Sequence, residues 1–128
     1  MMEERQPIDL LPLTPAVFHI LLALAGGERH GYGIMQEVTR ITDGLLHVGP
    51  GTLYRSIKHM LEARLIEEVD ERPDPALDDE RRRYYRLTHF GRQVTKAEAE
   101  RLAQLVEQAR SQQIFDSGWS DVAGGTAQ

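Results

Sequence analysis

The stretch Ala16-Val17-Phe18-His19-Ile20-Leu21-Leu22-Ala23-Leu24 puts apolar side chains on nearly every side of the helix it would form. Thr14 is a favourable N-cap, Pro15 suits the first helical position, and Gly26-Gly27 stops the run. A helix that is apolar all round has to be covered all round. With 128 residues, the chain holds about one domain's worth of cover. The other elements must therefore wrap this helix, and a partner subunit is expected to close whatever face they leave. The run is too short for a bilayer, which needs about 20 apolar residues. Ahead of it, Glu3, Glu4 and Asp9 outweigh Arg5, unlike the positive start of a secretory signal. A cytoplasmic protein without a membrane partner is expected.

Downstream, the period of the pattern decides the elements. His30-Gly31-Tyr32-Gly33 reads as a turn into a second helix with Ile34, Val38, Ile41 and Leu45 along one face, weakened by Thr42-Asp43-Gly44 and ending there or just beyond. Gly49-Pro50-Gly51-Thr52 breaks the chain again, and a third helix runs from Gly51 to Ala63. Its inner face carries Leu53, Ile57, Met60 and Leu61, and its outer face Thr52, Arg55, Lys58, His59 and Glu62. The spacing then changes to that of strands, in Ile66–Val69 and Arg82–Leu87, where Tyr85 and Leu87 are expected to face the core. Asp70–Arg81, with Pro73, Pro75 and a dense acidic run, reads as a long hairpin loop. Thr88 can cap a last helix, His89–Ser111, with Ala99, Leu102, Leu105, Val106 and Ala109 as its apolar stripe.

The resulting fold class is mainly α with a small β-hairpin, in the order α-α-α-β-β-α. Helices two and three have the arrangement of a helix-turn-helix, whose second helix enters the major groove. The hairpin that follows is then a wing, placed to touch the flanking backbone. Tyr32, at the start of helix two, and Tyr54 are each candidates for phosphate contact or for packing. Thr52, Arg55, Lys58 and His59 form the outer face of the reading helix, and Arg81, Arg82 and Arg83, with Arg86, put cations on the wing for phosphate contact.

The formal charge of −5 argues against a nucleic-acid partner only while its distribution is ignored. Residues 51–92 hold 9 basic and 9 acidic side chains, whereas residues 1–50 hold 3 and 6, and residues 93–128 hold 3 and 5. The acidic surplus therefore lies outside the reading unit. Local cations permit binding to DNA and make it dependent on salt.

Three ordered motifs carry a family resemblance: His30-Gly31-Tyr32-Gly33-Ile34, Gly49-Pro50-Gly51-Thr52-Leu53-Tyr54-Arg55-Ser56-Ile57 and Arg82-Arg83-Tyr84-Tyr85-Arg86-Leu87-Thr88-His89-Phe90-Gly91. In this order they resemble the PadR family of bacterial transcriptional regulators, over about Leu13 to Leu105. The resemblance implies a winged helix-turn-helix repressor that dimerises through its C-terminal helix, binds a palindromic operator in double-stranded DNA, and in many members is released by a small aromatic or drug-like effector. The implied organisation is an N-terminal arm at 1–13, a winged helix-turn-helix DNA-binding domain at 14–88, a dimerisation helix at 89–113 and a flexible tail at 114–128. An effector between first and last helices of the homodimer would meet Phe18, Leu22, Leu102 and Val106, with Phe115 or Trp119 as lids. These side chains serve equally as dimer core.

Other chemistry finds little support. With no cysteine there is no thiolate site or disulfide. His19, His30, His47, His59 and His89 show no paired ligand spacing, and neither Gly-rich turn is followed by the Lys-Ser/Thr of a phosphate loop. No enzyme, cofactor or metal is expected. A winged-helix module that holds another protein remains the alternative, and a small-molecule binding protein without an operator is a third reading.

Overall fold

The computed structural model of the chain describes residues 5–69 and 83–115. Two compact units divide it, residues 1–98 and residues 99–128.

In the first unit, a short 3-10 turn at Pro7–Leu10 precedes helix α1, Pro15–Ala25. The Thr14 hydroxyl accepts from the Val17 N–H at 3.2 Å and so starts α1 at the expected residue. Strand β1, Arg29–His30, leads into α2, Gly31–Ile41, and then α3, Pro50–Glu62. Strands β2, Ile66–Val69, and β3, Tyr84–Leu87, precede α4, His89–Ser111. Helix α1 packs against α2, α3 and β3, which bury Val17, Ile20, Leu21, Ala23 and Leu24. Around them the core takes Ile34 and Val38 from α2, Leu53, Ile57 and Met60 from α3, and Val94 from α4. Phe18 and Leu22, on the remaining side of α1, stay partly exposed within this chain.

Among the described residues the sheet has three strands in the order β1-β3-β2, all antiparallel, where the periodicity indicated a two-stranded hairpin. Two residues are too few to display an alternation, so β1 acquires its identity only by pairing Arg29 with Tyr85 and His30 with Tyr84. Tyr85 is buried and Leu87 half-buried against the core, on the side expected of them. The hairpin loop and its acidic run lie in residues 70–82, outside the described residues.

Helix α2 ends at the Thr42-Asp43-Gly44 break expected to weaken it, before the apolar spacing reaches Leu45. Thr42 closes it, Asp43 and Gly44 take left-handed φ values of 52° and 78°, and the Gly44 N–H returns to the Thr39 carbonyl at 2.8 Å. The turn lifts Leu45 out to 89% exposure. Leu46 and Val48 anchor the connection to the core in its place.

Helix α3 ends in a Schellman motif. Leu65 N–H bonds to the Met60 carbonyl at 2.9 Å and Arg64 N–H to Leu61 at 3.1 Å, with Arg64 left-handed at φ 62°. The buried Leu65 and Met60 side chains supply the apolar pair that accompanies such an ending. Thr88 joins this turn to α4: its hydroxyl lies within bonding distance of the Arg64 carbonyl and accepts from Gly91 N–H at 2.9 Å. The helix begins at the expected residue, but the compact unit continues to Glu98 because Gly91, Val94, Thr95 and Glu98 pack into it. Glu98 is 1% exposed and accepts from the Leu13 N–H at 3.1 Å. Burying a carboxylate requires such compensation.

In the second unit, α4 carries Leu105 at 51% and Val106 at 38% exposure beside the half-buried Leu102 and Ala109. Arg110 pairs with Glu107 at 3.2 Å and lies over the Phe115 ring. No helix among the described residues is long and apolar enough to cross a membrane.

Candidate nucleic-acid interface

Gly49 stands at the N-cap of α3 and Pro50 opens it, so the first turn needs no donor it lacks. From there the 3.6-residue period divides the helix. Leu53, Ile57 and Met60 face the core, and Thr52, Tyr54, Arg55, Lys58 and His59 face out. Arg55 reaches back to the Thr52 hydroxyl at 3.4 Å. Lys58 and His59 have no side-chain hydrogen bond or ion pair among the described residues. This row has the forked and flexible donors that base edges and phosphates require.

Helix α2 is seated against α3 by a close approach. A Cβ on Gly31 would strike the Tyr54 hydroxyl and lie 3.3 Å from Leu53 Cδ2. Tyr54 packs its ring end over Gly31, one of the two roles the sequence left open, while 40% of it stays exposed. His30 caps α2, its Nδ1 accepting from Gly33 N–H at 2.9 Å, and its ring meets Tyr84 edge-on at 5.3 Å. Tyr32, just inside that end, is 61% exposed.

The wing cations are less free than their number suggests. Arg83 pairs with Glu68 at 3.4 Å. Arg86, expected to contact phosphate, pairs with Glu67 at 2.8 Å directly across the β2–β3 ladder and with Glu28 at 3.6 Å. The Glu67 hydrogen bond and charge, assisted by Glu28, hold the Arg86 guanidinium more firmly protonated than usual. Arg81 and Arg82 lie outside the described residues, as does Trp119.

Of the remaining effector candidates, Phe18 and Leu22 lie on α1 in the first unit, and Leu102 and Val106 on α4 in the second. An open groove of about 420 Å³ lies elsewhere in the first unit, lined by Arg5, Gln6, Pro7, Phe90 and Gln93. The Arg5 guanidinium stacks 4.8 Å above the Phe90 ring and donates to the Ala63 carbonyl at 2.6 Å. The sequence offered no sign of this groove, because its walls come from the arm and α4. Among the described residues, no three side chains of the metal-ligating types come together.

Residues 20–97 match the family model described as the transcriptional regulator PadR-like family. A Streptomyces fradiae protein, described as an uncharacterized 37.1 kDa protein in transposon TN4556, is 30% identical over 102 residues. These make up 80% of this chain and 26% of that protein, so the chain spans about a quarter of its relative's length. Among solved structures, a transcriptional regulator from Clostridium thermocellum has 25% identity and a TM-score of 0.61, covering 75% of this chain and 86% of its own. Bacillus subtilis PadR, solved in complex with operator DNA, shares the fold at 19% identity and a TM-score of 0.55, over 66% of this chain and 46% of its own.

Proposed function

Because this chain belongs to the PadR-like family of transcriptional regulators, we propose that it is a homodimeric repressor that binds a palindromic operator in double-stranded DNA. The family is one of regulators rather than enzymes. The observation that carries the reading is the outer row of α3, where Thr52, Arg55, Lys58 and His59 stand exposed and Lys58 and His59 have no partner among the described residues. Each subunit would lay this row in the major groove, with half-sites about 10 base pairs apart or a multiple of that. Tyr32 and Tyr54 would meet phosphates beside it, and Arg81–Arg83 would do so from the wing. The operator complex of Bacillus subtilis PadR, which has the same fold, supports this reading.

Within it, residues 1–13 form an arm, 14–88 the reading domain, 89–113 the dimerisation helix and 114–128 a tail. The exposed Leu105 and Val106 suit a helix covered by a second copy. A small aromatic effector would act by favouring one separation of the two reading helices over another. The test is a gel-shift titration against the upstream region of the protein's own gene, in a salt series. Binding should weaken with a slope of about −0.9 per phosphate neutralised. Arg55→Ala or Lys58→Ala should cost about 1–3 kcal/mol if that side chain reads a base. Equal binding to every duplex, or binding to another protein that DNA does not compete away, would refute the reading.

A further inference from the structure

The outward face of α2 carries Tyr32, Gln36 and Arg40 at intervals of four, hence in one row along the helix. All three are exposed, while Ile34 and Val38 face the core. The side chains of Tyr32 and Gln36 have no hydrogen-bond partner among the described residues. Arg40 differs from an ordinary surface arginine, because its direction is set by a chain of contacts reaching back to α1. Arg29 donates through Nε to the Ala23 carbonyl, at the end of α1, at 2.8 Å. Its Nη2 lies 3.7 Å from Glu37 Oε2. Glu37 in turn takes Arg40 in a fork, Nε to Oε1 at 3.0 Å and Nη2 to Oε2 at 2.6 Å.

That fork uses only one edge of the guanidinium. Both hydrogens of Nη1 and one of Nη2 remain directed elsewhere, since the group has five donors in a fixed plane. Two guanidinium groups share one carboxylate, so the cluster keeps a net positive charge. Gly31 touches Leu53 and Tyr54 on α3, so the Tyr32 end of the row adjoins the reading helix. From Tyr32 to Arg40 the row extends about 12 Å, enough to meet at least two successive phosphates of one strand.

We propose that Tyr32, Gln36 and Arg40 form a phosphate-binding row for one strand of duplex DNA, with Glu37 as the positioning residue for Arg40. The proposal rests on the operator-binding reading and adds Gln36, Glu37 and Arg40 to its interface. The row carries register and affinity without sequence information, as phosphate contacts do. Folding should tolerate the substitutions, since the Arg40 side chain is 71% exposed.

The experiment is a salt series of Kd for the intact protein with Arg40→Ala and Arg40→Lys, on the operator and on an unrelated duplex of equal length. Arg40→Ala should weaken both duplexes by the same factor, about tenfold, and reduce the salt slope by about 0.9. Arg40→Lys should keep the slope but recover only part of the affinity, because an ammonium cannot share itself between Glu37 and phosphate in the plane of a fork. An unchanged slope in Arg40→Ala overturns the proposal, as does a loss confined to the operator, which would make Arg40 a base reader. Failure of the underlying reading looks different: the unsubstituted protein would then show no preference for the operator, and Arg55→Ala would not alter it.

Discussion

Replacing glycine by alanine in a helix interior ordinarily stabilises the helix by about 1 kcal/mol; at Gly91 the structure reverses the sign. Gly91 lies in the first turn of α4, against the backbone of Leu65 in the turn that follows α3. A Cβ there would overlap the Leu65 carbonyl oxygen outright and stand 2.7 Å from its carbon and 3.1 Å from Leu65 Cα. These are backbone atoms, and no rotamer can move them aside. The carbonyl also accepts the Thr88 N–H at 3.1 Å, so displacing it strains the junction that starts α4. Overpacking of this kind costs about 1–3 kcal/mol, here at its upper end, and a weakened hydrogen bond adds about 1 kcal/mol. Against the propensity gain, the net loss is about 3 kcal/mol. For a unit of 98 residues that lowers Tm by roughly 10–20 °C. Urea denaturation of Gly91→Ala should show the midpoint falling at an unchanged slope. Gly51→Ala is the control, because nothing lies within 4 Å of a Cβ there and its φ is not left-handed; it should hold or gain up to about 1 kcal/mol. A Gly91→Ala protein as stable as the parent would refute the close crossing of α4 over Leu65.

Two more outcomes follow from the ion pairs and from the second unit. The Arg40 hydrogen bonds, against some desolvation and with help from the Arg29 charge, hold the Glu37 carboxyl below the usual range. The stability it contributes is thus present above the ordinary glutamate value, roughly pH 4.3, and is lost as pH falls through the lower folded value. Thermal melts between about pH 6 and about pH 3, which bracket that value, should therefore fall less steeply in Glu37→Gln, by a small amount because the pair is exposed; parallel curves would argue against the fork. In the second unit, Leu105→Glu should convert the proposed dimer to monomer in sedimentation and abolish the proposed operator binding. A dimer that persists would move the interface off the exposed stripe of α4.

The local signals were legible because each is written within a few residues. Thr14 with Pro15, and Thr88, cap helices where they were expected to, and the inner face of α3 is the one its spacing predicts. Asp43-Gly44, a break also legible in the sequence, ended α2 through its left-handed pair before Leu45 could join its face. Glycine-rich motifs were recognisable in the sequence, but what each glycine makes room for was not. Gly31 admits Tyr54 and Gly91 admits Leu65, contacts between segments far apart in the chain.

By itself, then, the sequence determined the succession of helices and strands, their caps, the polar row of α3 and the family to which these motifs belong. All of these depend on neighbours three or four residues away, whose geometry the backbone period sets. Only the tertiary structure decided which charges are spent and which are free. Arg86, read from the sequence as a wing cation, is set by β3 opposite Glu67, and Arg40, on which the sequence was silent, takes its direction from Glu37 and Arg29. Glu98 became a buried anchor through Leu13, 85 residues away. An ion's role depends on what the fold brings within about 4 Å of it, and no local pattern records that distance.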